Sequence, residues 1–247
     1  MKKGIIAFIS LIIGLIIILF TFFLPWYGVN IKNTNEYEGD LFDYNKYYNS
    51  EQSMDYHLTQ ASLSMKSNGN VNKQSFSYSF VRKQASYYGS SYPLDFINIF
   101  DTTFLIFIIG LIFMILTLVI IPICFFTSPY QTKLKNCGLI FGVVSLLVFL
   151  ASFTYFTVSW NNYIHDVMSF QMLSTGATEI PAELADYGFW YSFNKDGYFF
   201  SMGPGLGWYL LIIGIIVIFI SLIFLYKFNT AKNQQIPQTP YYTDQQY

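Results

Sequence analysis

The sequence predicts a membrane protein: an all-α bundle of four transmembrane helices with a small extracellular antiparallel β-sheet built from two outer loops. Three observations predict this fold class. Of the 247 residues, 53% are hydrophobic and only 11% are charged, which is too apolar for a water-soluble surface. Four long runs are apolar throughout, and the two polar segments between them contain hairpin signals. The bilayer must therefore be part of the solvent.

Each predicted span is an uninterrupted apolar run of about the 20 residues that a helix needs to cross the hydrocarbon core. The runs lack Asp, Glu, Lys, Arg and His. A cleaved signal peptide is the alternative for the first run, which has a basic start, but its apolar stretch is longer than usual and no small-x-small cleavage site follows it. The predicted order is a cytosolic N-terminus with the first transmembrane helix (1–24), a large β-rich outer loop (25–103), the second helix (104–126), a cytosolic link (127–137), the third helix (138–158), a second outer loop with a hairpin (159–205), the fourth helix (206–228) and a disordered cytosolic tail (229–247).

The lysines predict the orientation. Short segments at one end of the runs contain six lysines and a single acid, Asp244, whereas the two long loops contain the other 13 acids and seven basic residues. Basic residues in short loops stay in the cytosol, so both termini are predicted to be cytosolic. The net charge of −1 gives no basic surface for nucleic acid.

The first outer loop contains the clearest strand signal, a β-hairpin over residues 56–83. Apolar and polar residues alternate on both sides of an Asn68-Gly69 turn, as in strands with one buried and one wet face. A second hairpin is predicted around Asp196-Gly197, with strands that extend the first sheet because an isolated ribbon is marginal. The aromatic residues of the first loop are either a recognition surface or packing, and as candidates for a surface we name Tyr44, Tyr47, Tyr48, Phe76, Tyr78 and Phe80.

Small residues on the third span predict where another helix packs. Gly138, Gly142 and Ser145 are spaced three and four apart, which lets two helix backbones approach closely. A helix of the same chain is the expected neighbour, and a homo-oligomer interface is the alternative. Cys124 and Cys137 lie at the cytosolic ends of spans, where they are either candidate S-acylation sites or ordinary reduced thiols.

No catalytic motif is present. The sequence lacks G-x-S-x-G, a Walker loop, H-E-x-x-H and C-x-x-C, and no ionisable residue lies inside a span. The two histidines, His57 near Asp55 and His165 beside Asp166, are at most a weak zinc hypothesis. We therefore expect a protein that is not an enzyme and has no cofactor, no catalytic site and no metal site.

The topology resembles the claudin and PMP22-like four-transmembrane superfamily. Trp26 after the first span resembles the family's first-loop tryptophan, and Gly207-Trp208 resembles the Gly-Trp of its last span. The family's G-L-W and cysteine pair are absent from the first loop. The resemblance implies lateral association in the membrane and adhesive or barrier contacts through the outer sheet.

These features predict a non-enzymatic multi-pass protein, claudin-like, whose outer sheet serves adhesion or lateral membrane organisation. The expected partners are the lipid bilayer, a membrane or extracellular protein, and a second copy of the chain in a homo-oligomer. An accessory subunit of a channel, transporter or enzyme complex is the alternative, and a small channel is a third hypothesis. The plasma membrane is favoured, and an internal membrane is the alternative.

Overall fold

The computed structural model describes residues 2–33, 50–67, 70–88, 95–126, 131–174, 189–195 and 198–227. They form a helical bundle with one antiparallel sheet at one end. In chain order the elements are α1 (Lys2–Phe20), β1 (Tyr27–Asn33), β2 (Ser50–Tyr56), β3 (Gln60–Ser67), β4 (Asn70–Ser77), α2 (Tyr78–Tyr88), α3 (Asp95–Phe126), α4 (Gln131–Ser174), β5 (Tyr191–Lys195), β6 (Tyr198–Pro204) and α5 (Leu206–Tyr226).

Three helices are long and apolar enough to cross a membrane: Asp95–Cys124, Thr132–Ile164 and Leu206–Tyr226. The first predicted span is a shorter apolar helix, Gly4–Phe20, and the chain leaves it through a turn. Within the described residues, three of the four predicted spans therefore have the required length.

Two helices are longer than predicted. α3 begins at Asp95, before the predicted start of the second span at residue 104. α4 extends to Ser174, beyond the predicted end of the third span at residue 158, and it begins at Gln131, inside the predicted link of residues 127–137. The polar residues 131–136 of that link therefore form the first turns of α4.

The seam between α1 and α5 follows a spacing of three and four residues. The buried positions of α1 are Gly4, Ala7, Leu11, Gly14 and Ile18. A Cβ added at Gly14 would lie 2.9 Å from Ile218, and one added at Gly214 would lie 2.6 Å from Ile18. From the first contact to the second, the residue number rises along α1 and falls along α5. The two helices are therefore antiparallel, and they are close along this seam.

The six strands form a single sheet in the order β4-β3-β2-β1-β6-β5. Every neighbouring pair is antiparallel. The predicted turns at Asn68-Gly69 and Asp196-Gly197 lie outside the described residues. The strands that flank them pair, Ser67 with Asn70 and Lys195 with Tyr198. β1 pairs with β6, so strands of the two loops form one sheet, as predicted.

The second arm of the first hairpin is shorter than predicted. The alternation of Phe76, Tyr78 and Phe80 was interpreted as one strand, but β4 ends at Ser77 and Tyr78 begins α2. Ser77 Oγ accepts a hydrogen bond from Phe80 N–H at 3.3 Å, which is the geometry of a helix N-cap. The strand prediction for residues 78–83 was wrong because this cap starts a helix where the apolar alternation continues.

Candidate interaction surface

An aromatic cluster fixes the sheet to the bundle. Trp160 of α4 lies at its centre, with ring centroids 5.0 to 5.1 Å from Phe100, Tyr27 and Tyr56. Trp26 and Tyr27, which follow the first span, are fully buried in the protein. Tyr27 OH donates to Phe189 O at 3.2 Å, which ties β1 to the segment before β5. The sheet is therefore held rigidly on the helix ends.

The connection between β6 and α5 needs glycine. Gly205 N–H donates to Trp26 O at 2.9 Å, and Gly207 N–H donates to Pro25 O at 2.8 Å. A Cβ at Gly205 would collide with the carbonyl of Pro25, and one at Gly207 would lie 2.9 Å from the Trp26 ring and 3.1 Å from Pro25 O. The two chain segments that lead from the sheet into α1 and α5 thus lie backbone to backbone, which only glycine allows.

Tyr78 belongs to the core and not to the surface. It is 3% exposed, its ring packs against Phe96 and Phe100, and its hydroxyl donates to His57 O at 2.6 Å. Burial raises the pKa of Tyr78 well above its ordinary value and that of Tyr56 to about 12. Both hydroxyls are therefore neutral, and that of Tyr78 is a hydrogen-bond donor within the core.

The other candidates of the hairpin are more accessible. Phe76 is half-buried on β4, and Phe80 is 47% exposed on α2, with the two rings stacked at 6.5 Å. Tyr44, Tyr47 and Tyr48 lie outside the described residues. The structure therefore leaves Phe76 and Phe80 at a surface and removes Tyr78 from it.

The two faces of the sheet differ in chemistry. The inner face has the apolar residues of the register, such as Val29, Met54, Leu63 and Met202, which lie side by side across four strands. The outer face has small polar residues at the next positions, the row Lys73, Ser64, Ser53, Asn30, Ser201 and Ser192. The outer face is therefore the solvent-facing side that the alternation of the sequence predicted.

Among the strands that the structure describes, β4 is terminal, and its outer edge has no neighbouring strand. This outer edge is called the free edge. Tyr78 N–H donates to Thr59 O at 3.3 Å, immediately beyond the paired Gln60 and Ser77. Hydrogen-bonded and non-bonded pairs alternate in an antiparallel ladder, so every second residue of β4 faces β3 and the others face away. The residues whose N–H and C=O groups point to the free edge are Val71, Lys73, Ser75 and Ser77.

This edge has few of the features that block strand pairing. The β3–β4 register runs without a bulge over eight residue pairs, and β4 contains no proline and a single charge, Lys73. Seven of its eight residues are exposed. A long, regular, exposed edge is a template for a further strand. The sequence located this strand but gave no signal for which of its backbone groups would be free, because that depends on the register.

The small-residue stripe of α4 packs inside the bundle. Gly138 lies against Ile121 of α3, and Gly142 fits between Leu222 of α5 and Thr117 of α3. Ser145 Oγ donates to Gly110 O at 2.8 Å. The stripe therefore contacts helices of the same chain, which was the expected arrangement.

The two cysteines differ in their exposure at the protein surface. Cys124 is buried at 3% exposure, whereas Cys137 is exposed, and the structure contains no disulfide between them. Of the two acylation candidates, only Cys137 presents its thiol at the surface.

His57 does not belong to a metal site within the described part of the chain. No three His, Cys, Asp or Glu side chains lie together there. His57 is half-buried between Asp55 and the carbonyl of Phe23, at the junction of the sheet and the end of α1. Burial lowers its pKa below the ordinary value of 6.5, against the opposing effects of Asp55 and Phe23. The His165 side chain lies outside the described part.

No model of a known protein family matches this chain, and no curated protein matches it.

Proposed function

We propose that this chain is a non-enzymatic multi-pass membrane protein whose outer sheet binds other proteins through the free edge of β4, in adhesion or lateral membrane organisation. The observation that carries the proposal is the exposed, unbulged edge of β4 on a sheet held firmly by the aromatic cluster. Such an edge binds an extended segment through main-chain hydrogen bonds, while side chains on the outer face select the partner.

The surface of the helices supports the membrane placement. Large apolar side chains are exposed on the outer sides of all four long helices, for example Ile9 on α1, Ile112 on α3, Leu147 on α4 and Ile216 on α5. An apolar surface of this extent favours lipid over water. α1 packs antiparallel along α5, which itself is long enough to span, so the proposed bundle has four spans with both termini in the cytosol.

The claudin-like resemblance agrees with this proposal. It implies a first outer loop rich in strands and a second loop that adds to the same sheet. Four strands of the first loop and two of the second lie in one sheet here. Adhesive contacts through that sheet are the function proposed on this basis.

A proline at an outward-facing position tests the role of the edge. Lys73→Pro removes one N–H that points to the free edge and leaves the bonds to β3 in place, because edge strands tolerate proline on their open side. Lys73→Thr is the matched control, since it removes the same charge and keeps the N–H. Deletion of the whole hairpin is less informative, because it also removes Tyr78 from the core and Tyr56, which packs against it.

We expect Lys73→Pro to weaken partner binding at least about fivefold, and Lys73→Thr to leave it nearly unchanged. Binding is measured by purification in mild detergent with quantification of copurifying protein, and by clustering of vesicles that contain the purified chain. Equal binding by both variants, with intact melting behaviour, would refute the role of the edge.

The same purification separates the alternative function. A larger membrane protein recovered in fixed stoichiometry with the chain supports an accessory subunit of a channel, transporter or enzyme complex. Self-association alone, lost in Lys73→Pro, supports adhesion between copies.

A further inference from the structure

At the end of the bundle opposite the sheet, an open cleft of about 530 Å³ lies along the surface between α4 and α5. The lining side chains are apolar apart from the hydroxyl of Tyr226. They include Val143 and Leu146 of α4 and Phe219 and Ile223 of α5. The volume lies within the ~300–1,000 Å³ typical of small-molecule sites. The cleft runs along the two helices and is open to the side, where the proposed bundle faces lipid.

Close contacts of α4 with α3 and with α5 surround the cleft. Gly138 draws this end of α4 towards α3, since an added Cβ would lie 3.2 Å from Ile121. α4 and α5 touch closely at Gly142 and Leu222, and again near the sheet, where Trp208 Nε1 donates to Thr157 Oγ1 at 3.1 Å. The cleft is thus set by the packing of α4 between two neighbours.

Lysines surround the end of the cleft. Lys135 Nζ donates to Tyr226 O at 3.4 Å, at the last turn of α5, and Lys227 follows directly. Lys133 is exposed nearly two helical turns before Leu139, the first cleft residue of α4. The sequence has no acid between Asp101 and Asp166, and none between Asp196 and Asp244. The site is apolar along its length and positive at its end.

We propose that this cleft binds one anionic phospholipid, with an acyl chain between α4 and α5 and the phosphate at Lys135 and Lys227. This rests on the membrane placement proposed above. A basic cluster next to an apolar groove matches the two parts of such a lipid. The helix end, whose carbonyls repel an anion, is already capped by Lys135, so the lysine charge dominates there.

A second copy of the chain fits the cleft less well. Copies in one membrane have the same orientation, so a neighbour would bring its own lysines to the same depth. Their mutual repulsion opposes that contact, whereas an anionic headgroup neutralises the cluster.

The test measures lipid retained by the purified full-length chain. Vesicles of equal phosphatidylglycerol and phosphatidylcholine are used for reconstitution, and the lipid that remains after detergent extraction is counted by native mass spectrometry. Lys135→Gln and Lys227→Gln remove the charges, and Val143→Trp fills the cleft. Lys32→Gln, on β1, and Val119→Trp, on an exposed position of α3, are the matched controls.

We expect one phosphatidylglycerol per chain in the wild type and in both controls. Each lysine variant lowers the preference for phosphatidylglycerol over phosphatidylcholine by about fivefold, and Val143→Trp abolishes retention of both lipids. Equal retention by all variants, or none by a wild type that inserts into vesicles, overturns this inference. A dimer that Val143→Trp dissociates, without retained lipid, assigns the cleft to a second copy. Failure to insert at all refutes instead the membrane placement.

Discussion

Tyr78 lies where β4 becomes α2, and its buried ring explains why the strand ends there. A strand continued through residue 78 would keep the alternation of the sequence, yet the ring packs on α3 and the hydroxyl reaches His57 O. We expect Tyr78→Phe to cost about 1 kcal/mol, the loss of one buried hydrogen bond. Tyr78→Ala should cost about 3–5 kcal/mol, as for other large aromatic residues removed from a core.

Phe80→Ala is the comparison that separates core from surface. Phe80 is two residues away and 47% exposed, so its truncation should change stability by about 1 kcal/mol or less. Thermal melting of the detergent-solubilised chain measures all three variants. An equal loss for Tyr78→Ala and Phe80→Ala would place both residues in the same environment and contradict the burial of Tyr78.

His57 gives the junction between sheet and α1 a pH dependence. Its pKa is lowered in the folded state, so between that value and the ordinary 6.5 the unfolded chain binds more protons than the folded chain. The contribution of His57 to the stability of the folded state is therefore fully present above about pH 6.5, and it is lost as the pH falls below that value. We expect the melting temperature of the wild type to fall more between pH 7.5 and pH 5 than that of His57→Gln.

The second histidine supplies the control for this pH effect. The chain has two histidines, so His165→Gln changes the other imidazole and leaves His57 in place. Its melting temperature should keep the pH dependence of the wild type. A His57→Gln variant with an unchanged pH profile would show that the junction does not discriminate between the two charge states of His57.

Among the elements, the hairpins were predictable from sequence and the edges of the sheet were not. Asn68-Gly69 and Asp196-Gly197 are local signals, and the described strands pair across each of them. The pairing of β1 with β6 is not local, but a two-stranded ribbon needs neighbours, which made it predictable. The burial of Trp26 and the central position of Trp160 depend on how the helices and the sheet pack together. The position of a tryptophan near the end of a span therefore did not predict either.

The helix seams were predictable where small residues repeat, and Gly142 offers the sharpest test. It lies between α3 and α5, and an added Cβ would meet Leu222 and Thr117. Gly142→Ile should destabilise the bundle by about 1–3 kcal/mol, because the extra volume forces α4 away from both neighbours. Leu147→Ile, on an exposed position of the same helix, should melt like the wild type. Equal melting of the two variants would contradict the close contact at Gly142.

At the scale of the whole molecule, the two ends of the bundle have different chemistry. One end has the sheet, fixed by buried aromatic rings, and the other has the lysines of α4 and α5. The apolar helix surface between them predicts a protein that crosses the membrane, with the sheet on the side opposite the lysines. The number of spans depends on α1. Its 19 residues measure about 28 Å at ~1.5 Å per residue, close to the roughly 30 Å of the hydrocarbon core.

Thiol labelling with a membrane-impermeant maleimide tests this arrangement. Three single-cysteine chains are needed: native Cys137 with Cys124→Ser, and Lys73→Cys and Lys3→Cys in a cysteine-free background. Lys73→Cys, on the exposed edge strand, should react in sealed cells. Cys137 and Lys3→Cys should react only after permeabilisation, because α1 packs antiparallel along α5 and places the N-terminus at the lysine end. Labelling of Lys3→Cys in sealed cells would show that α1 does not cross, and a three-span protein would replace the four-helix bundle.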